Sequence, residues 1–138
     1  MRRLFLRTAG ALHVFLYRAS GGKIGGRLRD APVLLLTVTG RKSGKQRTTP
    51  LLYGLAGDAF VLIASVGGAP RNPAWYHNLQ GREAEVQVLR GHVRVRARDA
   101  EGEERERLWA QMVAVYPPYA DYQKKTTRRI PVVVLERV

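Results

Sequence analysis

Gly40-Arg41-Lys42-Ser43-Gly44-Lys45-Gln46-Arg47 puts four cations, one hydroxyl and two glycines into eight consecutive residues. Glycine permits the positive-φ conformations in which successive backbone N–H groups converge on one ligand. Arginine brings a fork that fits carboxylate or phosphate, and lysine a point charge. The combination suits an anionic ligand. It equally suits a solvated hairpin tip whose charges serve solubility, and composition alone does not separate the two.

Tyr116, Tyr119 and Tyr122 recur every three residues across a Pro117-Pro118 break. They are either core tyrosines with satisfied hydroxyls or a wall of phenols over a planar substrate, each adding apolar area and one hydrogen-bond handle. Ser65, Gly67 and Gly68 offer a stretch where backbone could approach a flat ring closely, and Trp75 and Asn78 follow.

Other chemistries lack their residues. His13, His77 and His92 do not have metal-ligand spacing, and no metal site is expected. Gly-x-Ser-x-Gly does not occur. There are no cysteines, hence no disulfides or thiolate chemistry, and the acids are few. Gly21-Gly22-Lys23-Ile24-Gly25-Gly26 follows no strand and lacks phosphate-loop spacing. If the chain is an enzyme, an organic cofactor supplies its chemistry.

The elements that must position these residues are legible in outline. Residues 3–19 carry an amphipathic helical pattern (Leu4, Leu12, Phe15, Leu16, with Leu6, Val14 and Tyr17) ending at Ser20-Gly21-Gly22. Strands are expected at 33–39, 48–55, 59–65, 85–89 and 92–97, and a closing strand at 130–136. Asn72 suits an N-cap before a short helix with Trp75, Tyr76 and Leu79. Asp99 is expected to open a longer helix whose apolar stripe is Leu108, Trp109, Met112, Val113 and Tyr116. Short strand-to-strand links argue for an antiparallel or mixed sheet curled into a barrel.

The 138 residues make one ordinary domain with a real core. The net charge is +13, and residues 1–47 hold 11 cations against one acid, Asp30. Such asymmetry points to an anionic partner: nucleic acid, an anionic bilayer or a polyanionic small molecule. No apolar run spans a membrane, and the N-terminus reads as mature sequence, so a cytoplasmic location is expected. Helix one could rest on an anionic membrane with its basic and aromatic residues, or simply pack on its own domain.

The chain resembles the deazaflavin-dependent nitroreductase family. The likeness is carried by Thr39-Gly40-Arg41-Lys42-Ser43-Gly44 with Arg47 and Pro50, and by Ala64-Ser65-x-Gly67-Gly68-Ala69-Pro70-x-Asn72-Pro73-x-Trp75-Tyr76-x-Asn78-Leu79. Tyr116-Pro117-x-Tyr119-x-x-Tyr122-Gln123 and Ile130-Pro131-Val132-Val133 continue it. It implies a mixed α+β fold, a split β-barrel of the FMN-binding type, with an N-terminal helix (1–20) ahead of a single deazaflavin-binding domain (21–138) and helices flanking the barrel. It also implies coenzyme F(420), whose phosphodiester, carboxylate and polyglutamate tail form a polyanion. Arg41, Lys42, Ser43, Gly44 and Arg47, with Pro50 nearby, would hold the phosphate end. Ala64, Ser65, Gly67, Gly68, Asn72, Trp75 and Tyr76 would cradle the ring. Leu52, Tyr116, Tyr119 and Tyr122 would face the acceptor, with Ser65 able to donate a hydrogen bond to it. Beyond the resemblance, Ser65 and Tyr122 are taken as the catalytic residues, stabilising negative charge that develops on the acceptor oxygen.

The implied activity is hydride transfer from the reduced deazaflavin to a quinone or another electron-poor acceptor, nitroaromatics being adventitious. Two positions depart from the family pattern: Val66 stands where a cation often occurs, and Leu52 where an aromatic can line the pocket. Alternatives are a coenzyme-binding protein without turnover, an FMN-using barrel and, from +13 alone, a nucleic-acid module. Against the last, the cations sit among glycines and not between exposed aromatics.

Overall fold

In the computed structural model the chain is described at residues 2–28 and 31–138, with side chains from 11 to 27 and from 31 onward. The expected contributions of Leu4 and Leu6 to the first helix therefore lie outside the described side chains.

The helix α1 (Arg2–Ser20) leads into a two-residue strand β1 (Arg27–Leu28), then β2 (Ala31–Thr39), β3 (Gln46–Leu52), β4 (Gly54–Ala56) and β5 (Ala59–Ile63). A 3-10 turn (Val66–Gly68) and α2 (Ala74–Leu79) precede the hairpin β6 (Glu83–Val88) and β7 (Gly91–Asp99). Helices α3 (Gly102–Val115) and α4 (Pro118–Lys124) and strand β8 (Val132–Arg137) complete the chain. All ladders are antiparallel, in the order β1-β2-β6-β7-β8-β5-β4, with β3 on the other flank of β2.

Period-2 alternation explains the apolar runs. In β2, Leu34, Leu36 and Val38 face the main core while Val33 and Leu35 face Tyr17 of α1. In β5, Phe60 and Leu62 join that core, and Val61 and Ile63 pack under α3 and α4. β8 divides likewise, with Val133 and Leu135 inward and Val132 and Val134 outward. Strands covered on both faces read as continuous hydrophobic sequence. Leu36 is fully buried, so Leu36→Ala would cost about 2–5 kcal/mol through lost transfer energy and a residual cavity. The β6–β7 outer face is polar instead. His92 pairs there with Glu85 at 2.7 Å and Arg94 with Glu83 at 2.6 Å.

Several expectations need correction. The strand drawn over 48–55 is two strands broken at Tyr53, whose N–H donates to the Pro32 carbonyl. Asn72 caps nothing; Pro73 is the N-cap of α2 and makes no side-chain cap bond. Asp99 ends β7, and α3 starts at Gly102 with φ +59. The sheet curls but does not close: among the described residues β3 has a ladder only with β2, and β4 only with β5. Pro50 in β3 has no N–H to give, which suits a strand paired on one side.

Tyr17 anchors helix α1 to the sheet. Tyr17 is 0% exposed; its hydroxyl donates to the Gln87 carbonyl at 3.3 Å and accepts the Leu89 N–H at 2.7 Å. Leu89 sits at φ +54 in the β6–β7 turn, so the helix steadies a strained turn. No helix among the described residues is long and apolar enough to cross a membrane.

Candidate active site

The octapeptide is the β2–β3 hairpin loop, with Thr39 opposite Gln46. The Gly40 N–H donates to Lys45 O at 2.7 Å and the Gly44 N–H to Gly40 O at 2.8 Å. Gly44 takes φ +70, the left-handed conformation its type allows. A cavity of about 330 Å³ opens beside the loop, lined by Gly40, Arg41, Lys42, Ser43, Arg47, and Ala74 and Asn78 of α2. The three cations are exposed, and among the described residues no carboxylate lines this space. Asn78 is buried, and its Oδ1 accepts the Arg41 N–H at 3.0 Å.

A second cavity, of about 430 Å³, lies where β3 fails to join β5. β3 contributes Thr49, Pro50, Leu51 and Leu52, β5 contributes Ile63, and Ser65 and Val66 follow it. Pro73 and Trp75 come from the start of α2, and Tyr116, Tyr119 and Tyr122 from the α3–α4 region. Its walls are therefore mostly apolar and aromatic. β3 and α2 each contribute to both cavities, so a basic mouth and an aromatic chamber lie along the same two elements.

The tyrosines form one cluster. Ring centroids stand 5.0 Å apart for Tyr116–Tyr119, 6.2 Å for Tyr119–Tyr122 and 6.3 Å for Tyr116–Tyr122, and the hydroxyls of Tyr116 and Tyr122 are 3.3 Å apart. Burial, reinforced by the neighbouring phenols Tyr116 and Tyr122, pushes the Tyr119 hydroxyl pKa well above the usual phenol range. Such a phenol stays protonated at any physiological pH, so it remains a hydrogen-bond donor. Lys125 places its Nζ 5.7 Å over the Tyr122 ring.

Leu52, Pro50, Ser65, Trp75, Tyr116, Tyr119 and Tyr122 are thus brought together in the chamber, and Arg41, Lys42, Ser43 and Arg47 at the mouth. Gly44 stands beside the mouth without lining it. Ala64 is 0% exposed within the main core. Gly67 is exposed at φ +62, with open space where a Cβ would stand. Gly68 serves a protein contact: a Cβ there would meet the Tyr122 carbonyl oxygen at 2.6 Å, so glycine lets the turn press against α4.

Asn72 and Tyr76 face elsewhere, into a smaller cavity of about 250 Å³ with Asp99 and Arg105. The Tyr76 hydroxyl donates to Asp99 at 2.5 Å; burial first, and that bond second, push its pKa up to about 12.

A family model described as F(420)H(2)-dependent quinone reductase matches residues 10–137. The chain belongs to the F(420)H(2)-dependent quinone reductase family. The F(420)H(2)-dependent quinone reductase Rv1261c of Mycobacterium tuberculosis is 43% identical over 132 residues, covering 91% of this chain and 88% of the relative. A solved F(420)H(2)-dependent reductase, FDR-A, is 44% identical with a TM-score of 0.70, covering 76% of this chain and 94% of its own. A solved domain-swapped dimer is 36% identical with a TM-score of 0.73, covering 99% of this chain and all of its own.

Four further residues of this family member contribute to the site without a signal in the sequence. His13 reaches the chamber from α1, with Nε2 2.7 Å from the Gly25 carbonyl. Thr49 and Ile63 are ordinary strand residues that line the chamber because β3 and β5 form no ladder with each other. Arg128 binds the turn after β5 through four acceptors. As one cation of 24 it carries no sequence signal of that role.

Proposed function

We infer that this protein is an F(420)H(2)-dependent reductase that passes reducing equivalents to a quinone-like acceptor, with the coenzyme laid across the basic mouth and the aromatic chamber. This reading is carried by β3 and α2, which both contribute to two cavities: one lined by three cations and, among the described residues, no carboxylate, the other walled by Trp75 and three tyrosines. Both halves fit the coenzyme chemically: a polyanionic tail needs cations without acids, and a planar ring needs flat apolar walls. We read the curled, unclosed sheet as a split β-barrel, and residues 21–138 as its single domain behind helix 1–20.

When bound, the deazaflavin supplies a hydride; everything else falls to side chains of this chain. Arg41, Lys42 and Arg47 neutralise the tail, while Ser43 and Gly44 shape the loop and Pro50 the adjoining wall. Trp75 and the Ser65–Gly68 turn confine the ring, with Ala64, Asn72 and Tyr76 supporting that turn and α2 from behind. Leu52, Tyr116 and Tyr119 bound the acceptor. Ser65 and Tyr122 offer hydroxyl protons to the acceptor oxygen as it gains charge, a donor role worth a factor of about 10²–10³ in rate where one donor dominates. Apolar packing around them keeps water away and strengthens those bonds.

The test is anaerobic oxidation of the reduced coenzyme by menadione, with reduced FMN as control. Menadione-dependent oxidation that falls about tenfold or more in Ser65→Ala and Tyr122→Phe supports the reading. Equal activity with FMN, or none with the deazaflavin, contradicts it.

We place the enzyme in the cytoplasm, with α1 resting on an anionic bilayer where quinones dissolve. Leu12 and Phe15 are 57% and 65% exposed, beside an exposed Arg18. Deleting the helix would also remove Tyr17 and His13 from the fold, so Leu12→Ser/Phe15→Ser is the cleaner variant. It should reduce turnover of vesicle-borne quinone and leave soluble menadione turnover intact; unchanged vesicle activity contradicts membrane contact.

A further inference from the structure

Arg128 lies between α4 and β8, and its guanidinium is spent on one short segment. Nε donates to the Ala69 carbonyl at 2.8 Å. Nη1 donates to the Ala64 carbonyl at 3.2 Å and to Asn72 Oδ1 at 2.8 Å. Nη2 donates to the Ser65 carbonyl at 2.7 Å. None of these acceptors is a carboxylate, so the side chain orders backbone and forms no ion pair with them.

The segment it holds is strained. Val66 sits at φ +44 and is 52% exposed at the chamber wall. A β-branched residue in the left-handed region is rare and persists only where its surroundings over-determine it. Arg128 binds the carbonyls on either side, those of Ser65 and Ala69. Its own backbone is held in turn: Gln123 Nε2 donates to the Arg128 carbonyl at 2.7 Å and Gln123 Oε1 accepts the Ile130 N–H at 3.0 Å. A path of hydrogen bonds thus runs from α4, next to Tyr122, to the turn carrying Ser65.

We propose that Arg128 is a positioning residue of the active site: its fork holds the 64–72 segment in the strained form that turns Ser65 and Val66 toward the chamber. This rests on the reductase reading above for its consequence, though not for its geometry. The planar five-donor fork is essential, because lysine carries the charge with fewer donors in a different arrangement.

The experiment compares wild type, Arg128→Ala, Arg128→Lys and Val66→Gly/Arg128→Ala, with Arg105→Lys as a control for general destabilisation. Arg105 is buried and likewise donates to a backbone carbonyl, that of Ile130 at 2.8 Å, but it packs on Trp109 of α3. Amide hydrogen exchange comes first because it needs no coenzyme. The amides of residues 65–69 should exchange about tenfold or more faster in Arg128→Ala and Arg128→Lys while β2 stays protected, and Arg105→Lys should lack this local change. Coenzyme titration should then show a dissociation constant raised about tenfold in both Arg128 variants, as expected for lost charged hydrogen bonds. Val66→Gly should recover part of that loss by relieving the positive φ. Unchanged exchange in Arg128→Ala overturns the positioning role. Faster exchange with unchanged coenzyme affinity overturns its link to the site. Failure of the wild type to bind coenzyme overturns the reductase reading, while the exchange result still decides whether Arg128 orders the turn.

Discussion

The Asn78 side chain accepts the Arg41 backbone N–H at 3.0 Å, so α2 and the basic hairpin loop are fixed to one another. Asn78→Ala leaves that donor without its partner and should cost about 1–3 kcal/mol. Asn78→Asp keeps an acceptor but sets a negative charge beside Arg41, Lys42 and Arg47. Thermal melts should therefore show the larger loss in the alanine variant. Coenzyme titrations should show weakened binding in both, worst at low salt in the aspartate variant. Wild-type affinity in Asn78→Asp would separate this loop from the anionic tail.

Exposed cations holding an anion are screened by salt. Raising ionic strength from about 0.05 M to about 0.5 M shortens the screening length severalfold and should raise the coenzyme dissociation constant several-fold. Arg41→Ala/Lys42→Ala should bind more weakly at low salt and respond less to added salt. Parallel salt slopes for the two proteins would show that these cations do not carry the attraction.

Burial raises the pKa values of Tyr17, Tyr53, Tyr76 and Tyr119 above the ordinary phenol value of about 10. In each case the folded state disfavours the phenolate. Their contribution to stability is thus complete below about pH 10 and is lost as the pH rises through the folded values. Tyr119, only 5% exposed, should account for up to about 1.4 kcal/mol per pH unit of this loss above pH 10. Chemical unfolding at stepwise alkaline pH should show a shallower decline in Tyr119→Phe. Superimposable slopes would place the alkaline sensitivity elsewhere.

Trp75 shares its chamber with His13 and the tyrosines. Menadione should quench the fluorescence of the coenzyme-free protein, and Trp75→Phe should remove most of the response, since Trp109 packs with α3 outside the chamber. His13→Ala should weaken menadione binding several-fold by removing one wall. Undiminished quenching in Trp75→Phe would move the acceptor out of this chamber.

The helices and the central strands were readable because their apolar periods are strong and local. β2, β5 and β8 announce themselves as runs buried on both faces, and Leu108, Met112 and Tyr116 as a helical stripe. The basic loop was legible because glycine and arginine have specific uses in one short turn. What escaped depends on contacts distant in sequence. The break at Tyr53 follows from its bond to Pro32, and the turning of Tyr76 toward Asp99 from the placement of β7. Arg128 reaches residues about 60 positions away, which no local pattern encodes. The open seam also escaped, because closure is decided by whether two strands meet and not by either strand alone.

The most direct test of the account is a fluorescence titration of the purified protein with oxidised coenzyme F(420), beside an FMN control and the Arg41→Ala/Lys42→Ala variant. Deazaflavin should bind saturably, about tenfold or more weakly in the variant through loss of charged contacts, and FMN should bind more weakly than the deazaflavin. Equal or tighter FMN binding, or deazaflavin binding indifferent to Arg41 and Lys42, would contradict it.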